Sequence, residues 1–468
     1  MTTIAIMGGG PAGYEAALVA VQYGADVTLI ELDGVGGACV LTDCVPSKAF
    51  IASAAGRTAV LGARDLGLTV DADRVSVDVP TVNGRVNGLA LAQSTDIRSQ
   101  LETQGITVVQ GRAAFADRTT GLARHVVHVE PVDGDPFDLD CDFVVVATGA
   151  SPRVLPTARP DGDRILTWRQ VYSLTELPEH LIVVGSGVTG AEFASAFTEM
   201  GVRVTLVSSR DRVLPSEDAD AAAVIEKVFS EHGGELARQS RASSVERDGD
   251  GVVVTLTDGR QIRGSHALMT VGAVPNTADI GLDRVGVDVN DQGFITVDRV
   301  SRTSAANVYA AGDCTGVLML ASVAAMQGRI AMWHALGEGV PPLALNTVSA
   351  NVFTHPEIAT VGNSQADAEE DPSGLQVLKL PLATNARAKM HGLEEGFVKL
   401  VIRPTTGLIT GGVVVAPDAS ELILPIAMAV QNRLTVRNLA YTFSVYPSLS
   451  GSLTELARRL MFVTSGQL

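Results

Sequence analysis

The sequence predicts an α/β protein: two Rossmann-like dinucleotide-binding domains followed by an α+β C-terminal domain. Three observations predict it. A strand–helix alternation restarts partway along the chain, a G-x-G-x-x-G loop heads each round, and after about residue 346 the pattern changes to Val- and Ile-rich strands followed by helices. The length of 468 residues fits roughly three domains of about 150 residues each.

The first round runs through apolar strands at Ile4-Ala5-Ile6-Met7, Asp26-Val27-Thr28-Leu29-Ile30 and Phe143-Val144-Val145-Val146. Gly8-Gly9-Gly10-Pro11-Ala12-Gly13 follows the first strand and precedes a helical run from Tyr14 to Tyr23, and Glu31 ends the next strand. In this context Gly8 makes the tight turn, Gly10 lets the backbone approach a pyrophosphate at a positive helix end, and Gly13 permits close helix packing. Glu31 is placed to accept from a ribose hydroxyl.

The second round opens at Leu181-Ile182-Val183-Val184, beyond a Pro-bearing stretch at Ser151-Pro152 and Pro156. Gly185-Ser186-Gly187-Val188-Thr189-Gly190 repeats the loop, ahead of a helix expected from near Ala191, and Arg203-Val204-Thr205-Leu206-Val207 is the next strand. Past Val271-Gly272, Asn307-Val308-Tyr309-Ala310-Ala311 reads as one more buried strand that returns to the first domain. The expected boundaries are therefore 1–150 and 276–345 for the first domain, 151–275 for the second and 346–468 for the third. The third should carry helices at Glu421 to Gln431 and Ser452 to Leu460. Two dinucleotide sites in one chain point to electron transfer between two dinucleotides, and FAD with NAD(P) is the economical pair.

Composition narrows the function. A net charge of −17 disfavours nucleic acid as a partner, since that binding rests on clustered Lys and Arg. No apolar run approaches the roughly 20 residues of a bilayer span, and the N-terminal residues lack the features of an export signal, so a cytoplasmic location is expected. Four cysteines are too few for a disulfide scaffold. Cys39 and Cys44 are the only close pair, and no further Cys/His cluster completes a zinc site, so no metal is expected. In an ideal helix their Cα atoms would stand too far apart for a disulfide, about 7.5 Å along the axis. A bridge needs a distorted turn, for which Pro46 offers a reason. Cys141 and Cys314 read as ordinary buried residues.

Gly36-Gly37-Ala38-Cys39 through Cys44-Val45-Pro46-Ser47-Lys48 resembles the pyridine nucleotide-disulfide oxidoreductases, a family that includes dihydrolipoyl dehydrogenase, glutathione reductase and mercuric reductase. The resemblance extends to Ala147-Thr148-Gly149, Gly272 with Pro275-Asn276, Tyr309-Ala310-Ala311-Gly312-Asp313 and Phe353-Thr354-His355-Pro356-Glu357. It implies that Cys44 is the thiolate against the flavin, Cys39 the thiol facing substrate, and Lys48 with Glu192 a charge pair beside the flavin. It also implies that Asp313 binds the ribityl chain, that the helix starting near Leu320-Ala321 points at the flavin ring, and that the C-terminal domain pairs two subunits. The candidate FAD residues are Gly8, Gly10, Pro11, Ala12, Gly13, Glu31, Gly37, Ala38, Lys48, Ala113, Thr148, Gly149, Asp313, Leu320 and Ala321. Those for NAD(P) are Gly185, Gly187, Val188, Gly190, Ser208, Ser209, Arg210 and Gly272.

The sequence departs from that family at its proton-handling end. Where dihydrolipoyl dehydrogenase and glutathione reductase carry His-Pro followed by Glu, this chain reads Tyr446-Pro447-Ser448-Leu449-Ser450-Gly451. A Tyr titrates near 10 rather than about 6.5, so Tyr446 is a poor base for a thiol proton. Tyr-Pro resembles mercuric reductase, but the end Thr464-Ser465-Gly466-Gln467-Leu468 has no cysteine pair. Val188 replaces a gating Tyr and Ala273 an Arg. The expected activity is an NAD(P)H oxidoreductase delivering electrons to a quinone-type acceptor, with a disulfide reductase using Tyr446 second and a flavin-loaded sensor third. NADPH should serve at least as well as NADH: Ser208 stands where an acidic residue would repel a 2′-phosphate, and Arg210 or Arg212 could pair with it.

Overall fold

Parallel pairing of three apolar strands starts the fold. Thr3–Met7 lies between Asp26–Glu31 and Phe143–Val146, and burial on both faces explains why these strands read as unbroken Ala/Ile/Val runs. The computed structural model describes residues 1–117 and 124–464; of the Thr464-to-Leu468 end, residues 465–468 lie outside the described residues. Val308–Ala310 joins the same sheet in parallel beside Phe143–Val146, so the chain returns to the first sheet after visiting three others. Thr107–Phe115, His125–Pro131 and Phe137–Cys141 extend it to seven strands.

A second, five-stranded parallel sheet has His180–Val184 at its centre, between Arg203–Val207 and His266–Met269. An antiparallel trio, Ala242–Asp248, Gly251–Leu256 and Gln261–Gly264, precedes its last long strand. Two short antiparallel strands, Ala150–Pro152 and Ala273–Pro275, carry the chain out to this unit and back. Asn276 locks the return, donating to the carbonyl of Thr148 at 2.9 Å and to that of Gly149 at 2.9 Å. The third unit is a five-stranded antiparallel sheet containing Glu357–Gly362, Leu408–Ala416 and Phe397–Arg403, backed by helices.

Several helix boundaries differ from expectation. Helix α1 (Pro11–Gln22) begins at Pro11 rather than Tyr14, because Pro at a first helical position lacks only an N–H that would have been unpaired anyway. The second glycine-loop helix likewise starts at Val188, not near Ala191. The helix expected over Glu421 to Gln431 is two, Ala419–Leu422 and Leu424–Gln431. Pro425 cannot donate to the carbonyl four residues back, which ends one ladder and suits the first turn of the next.

The cysteine pair lies on α2 (Gly37–Leu41) and α3 (Cys44–Gly62). The stretch Gly37–Leu66 has the length and mean hydropathy, 1.2, of a membrane span. It is interrupted between the cysteines, and α3 packs Phe50 onto Phe193 and Phe197 of the Val188–Glu199 helix, with ring centroids at 6.2 and 5.1 Å. A third wall of that packing is α4 (Val79–Thr103), whose Asn83 donates to the carbonyl of Leu174 at 2.8 Å.

Candidate active site

Both glycine loops have the geometry a dinucleotide needs. In the first, Gly8 has φ +109°, and a Cβ there would lie 2.2 Å from the Ala147 carbonyl; one on Gly13 would lie 1.9 Å from the carbonyl of Gly8. The second repeats this at Gly185 (φ +117°, 2.3 Å from the Thr270 carbonyl) and Gly190 (1.9 Å from the Gly185 carbonyl). Gly10 and Gly187, the middle glycines, have no such obstruction and sit at the N-terminal ends of their helices. Each loop is thus closed against its own sheet and open toward the cleft, where backbone N–H groups and the helix dipole favour a pyrophosphate.

Two joined clefts run from the first loop toward the cysteines. The outer, about 620 Å³, is lined by Gly8, Glu31, Ala113, Thr148 and Asn276. The inner, about 410 Å³, is lined by Gly10, Pro11, Ala12, Gly37, Ala38, Cys39, Cys44, Thr148, Gly149, Asp313 and Ala321. Glu31, Asp33, Thr148, Arg169 and Asn276 border both. Glu31 accepts from the Gly9 N–H at 2.6 Å and the Asp33 N–H at 2.9 Å. Burial raises its carboxyl above the ordinary range against those hydrogen bonds. Asp313 is pushed up to about 6 by burial and by Asp43. The Ala321–Ala335 helix ends at the inner cleft through Ala321 and Ala324, whereas Leu320, its N-cap residue, does not line the cleft. Gly328 is a residue the sequence reading missed: a Cβ there would sit 2.1 Å from the Ala12 carbonyl, so only Gly lets this helix lie against α1. These residues fit FAD.

The break between the cysteines is not made by Pro46. Thr42 (φ −140°, ψ −6°) and Asp43 (φ −129°, ψ −95°) leave helical geometry and start a new helix at Cys44. Pro46 lies in the first turn of α3, where its missing N–H costs nothing. The two thiols are free and close enough to perturb one another's ionisation. The Cys44 side chain draws the Cys39 thiol below its ordinary value, while Cys39 and burial hold Cys44 above it. The pair titrates as a unit with one proton shared between the sulfurs, and charge-transfer absorbance tests the expectation that Cys44 carries the thiolate against the flavin.

Lys48, one turn along α3, donates to Glu192 at 2.9 Å and lies 4.8 Å from the Phe353 ring centroid. Burial opposes its charge, but Glu192, Cys44 and Asp43 hold the ammonium above its ordinary value. The other Glu192 oxygen accepts from the Phe353 N–H at 2.9 Å, so one carboxylate links all three units.

The inner cleft continues past Val188, Gly187 and Gly272 toward the second glycine loop. A separate cleft of about 360 Å³ follows, lined by Gly185, Ser186, Ser209 and Arg241. Ser208 does not face it. Its residue is 1% exposed, and its hydroxyl is bonded to Ser186 at 2.7 Å and to the Arg210 backbone N–H at 3.1 Å. The expectation that Ser208 meets a ribose or phosphate is corrected: the loop consumes its hydroxyl. Arg212 is also engaged, donating to the carbonyls of Pro215 and Glu217. Ser209 and Arg210 are exposed. Arg241, which no motif marked, is 32 positions downstream of Ser209 and lines this cleft from the residue just before Ala242–Asp248, the first strand of the antiparallel trio inserted ahead of the second sheet's last long strand. Tyr446 is 85% exposed at the far end of the chain, away from the cysteines of its own subunit's cleft.

Residues 2–328 match the family described as "Pyridine nucleotide-disulphide oxidoreductase", and residues 348–457 match its dimerisation domain. The chain belongs to this family. As a pyridine nucleotide-disulphide oxidoreductase it uses FAD and NAD(P)H. It is 60% identical over 464 residues to an NAD(P)H dehydrogenase (quinone) of Mycobacterium tuberculosis, covering 98% of this chain and 94% of the relative. It is 32% identical over 446 residues to the dihydrolipoyl dehydrogenase of Chlamydia pneumoniae, with 95% and 94% covered. Among solved structures it is similar to LpdA of M. tuberculosis (TM-score 0.95, 59% identity, 98% and 100% covered). It is also similar to the HOCl-induced flavoprotein disulfide reductase RclA of Escherichia coli (TM-score 0.86, 26% identity, 98% and 99% covered).

Proposed function

We propose that this oxidoreductase passes electrons from NAD(P)H through FAD to a diffusible quinone, with residues 1–150 and 276–345 holding FAD and 151–275 the nicotinamide nucleotide. The observation that carries it is Tyr446-Pro447 in place of the His-Pro of the family's disulfide reductases, with no histidine lining the inner cleft among the described residues. Carboxylates, Arg169 and two thiols line that cleft, with Lys48 nearby and paired to Glu192, and a tyrosine hydroxyl is in general a far poorer proton acceptor than an imidazole. A disulfide acceptor needs a group that takes and returns a thiol proton; a quinone can be reduced without a dithiol step. The name of the M. tuberculosis relative supports the same acceptor.

When bound, FAD supplies the two-electron relay. The Gly8–Gly13 loop would hold its pyrophosphate, Glu31 and Asp313 would accept from its hydroxyls, and Lys48 with Glu192 would set the charge near the flavin. Residues 346–468 pair two subunits in this reading, which the dimerisation-domain match and the exposed apolar run at Tyr441, Phe443 and Val445 support. Four cysteines in the whole chain, too few for a disulfide scaffold, are compatible with a cytoplasmic location.

The test is steady-state turnover with quinones, lipoamide, oxidised glutathione and mercuric ion, on wild type and Cys39→Ser/Cys44→Ser. Quinone reduction should lead and should survive loss of both cysteines. Dihydrolipoamide oxidation at rates comparable to quinone reduction would favour the dithiol reading instead.

A further inference from the structure

Asp43 occupies the N-cap position of α3, where an Asp side chain ordinarily accepts a free helical N–H. Here it caps nothing. Its backbone carbonyl accepts from the Ser47 N–H at 2.8 Å, and the residue lines the inner cleft beside Cys39, Cys44, Asp313 and Arg169. No hydrogen bond or ion pair reaches its carboxyl among the described residues.

The groups facing it come from every neighbouring element: Cys39 from α2, Cys44 and Lys48 from α3, Arg169 and Tyr172 from the Trp168–Ser173 turn, Glu192 from the Val188–Glu199 helix, and Asp313. Lys48 is already paired with Glu192. Two cations therefore serve three carboxylates, and a thiolate would add a fourth negative charge among half-buried groups. The N-terminal end of α3 favours negative charge on Cys44, and the neighbouring thiol of the pair eases the first ionisation. Asp43 works against both.

We propose that Asp43 is a specificity-determining positioning residue: its carboxylate restrains thiolate formation at the Cys39/Cys44 pair and so withholds the pair from disulfide acceptors. The thiolate, not the thiol, attacks a disulfide. Burial and the neighbouring carboxylate of Glu192 disfavour charge on Asp43 itself, while Lys48 and Arg169 favour it. The consequence for acceptor choice rests on the quinone reading above.

The test is the pH profile of iodoacetamide incorporation into the reduced, FAD-loaded enzyme, for wild type, Asp43→Asn, Asp43→Ser and Asp43→Glu. Each is scored only when its visible spectrum shows bound flavin. In the Asn and Ser variants the midpoint should fall by about one pH unit or more, about tenfold more thiolate at a given pH, whereas Asp43→Glu should stay near wild type. An unchanged or higher midpoint in Asn and Ser overturns the proposal, as does a Glu variant that shifts as far as Asn. If neither neutral variant holds flavin, the wild-type profile decides: a midpoint more than about two units below the free-thiol value near 8.5 overturns it, and a higher midpoint upholds it. Quinone turnover, run on the same wild-type preparation, separates the two readings. Its absence overturns the acceptor assignment and leaves the titration standing.

Discussion

Cys44 and Asp313 show how single residues report on this cleft. Partial reduction of the yellow enzyme should give long-wavelength charge-transfer absorbance, because the shared proton lets charge reside on either sulfur, and Cys44 stands at the positive end of α3. Cys44→Ser should abolish that band; its survival would refute the assignment. Asp313 titrates near 6 in the folded protein against an ordinary 3.8, so across that window the folded state binds more protons than the unfolded. Stability should then fall as pH rises through the window. In flavin-stripped protein, Asp313→Asn should remove this decline and raise stability at pH 7 by on the order of 2 kcal/mol, while the holoenzyme loses FAD more readily. Parallel pH profiles in denaturant unfolding would contradict this. At the nucleotide end, the hydroxyl of Ser208 is buried, Arg241 lines the cleft beside the second glycine loop and Arg210 is exposed next to Ser209. NADPH should be used at least as well as NADH, and Arg210→Ala or Arg241→Ala should lower kcat/KM for NADPH selectively and weaken binding of 2′,5′-ADP. A wild-type preference for NADH beyond tenfold, roughly 1.4 kcal/mol, would be fatal to this assignment.

Between elements, the decisive contact is α3 against the Val188–Glu199 helix. Phe50 is 2% exposed and touches Phe193, Phe197 and Tyr172, and the same two helices carry Lys48 and Glu192. Phe50→Ala should cost about 3–5 kcal/mol, as truncation of a buried aromatic usually does. It should also slow reduction of the enzyme by NADPH, since the Lys48–Glu192 pair loses the packing beneath it. Stopped-flow reduction at the wild-type rate in a destabilised Phe50→Ala would show that helix packing and charge placement are independent.

Across the whole molecule, Lys399 ties the C-terminal sheet to the nucleotide domain. It is 1% exposed and donates to Asp218 at 2.8 and 2.9 Å, with Asp220 at 2.8 Å. Lys399→Met should cost about 3–5 kcal/mol by leaving Asp218 buried and unpaired, read as an earlier unfolding transition. The protein should sediment as a homodimer at micromolar concentration, with the exposed Tyr441-to-Tyr446 segment covered by the partner; a monomer there would contradict it.

By itself the sequence determined both glycine loops, the strands beneath them, the return of Val308–Ala310 to the first sheet and the cysteine pair. These are local signals, in which a turn, a positive φ or an apolar run reads directly from neighbouring residues. It could not decide what depends on side-chain direction or distant approach. Ser208 looks available in sequence but spends its hydroxyl inside its own loop. Arg241 and Gly328 carry no motif and acquire meaning only from the surfaces opposite them. Asp43 carries no motif either; the structure shows that it caps nothing and stands in a cleft with more carboxylates than cations. Hydrogen-bond direction and the balance of charge in the cleft arise from residues far apart in the chain, so only the tertiary structure decided them.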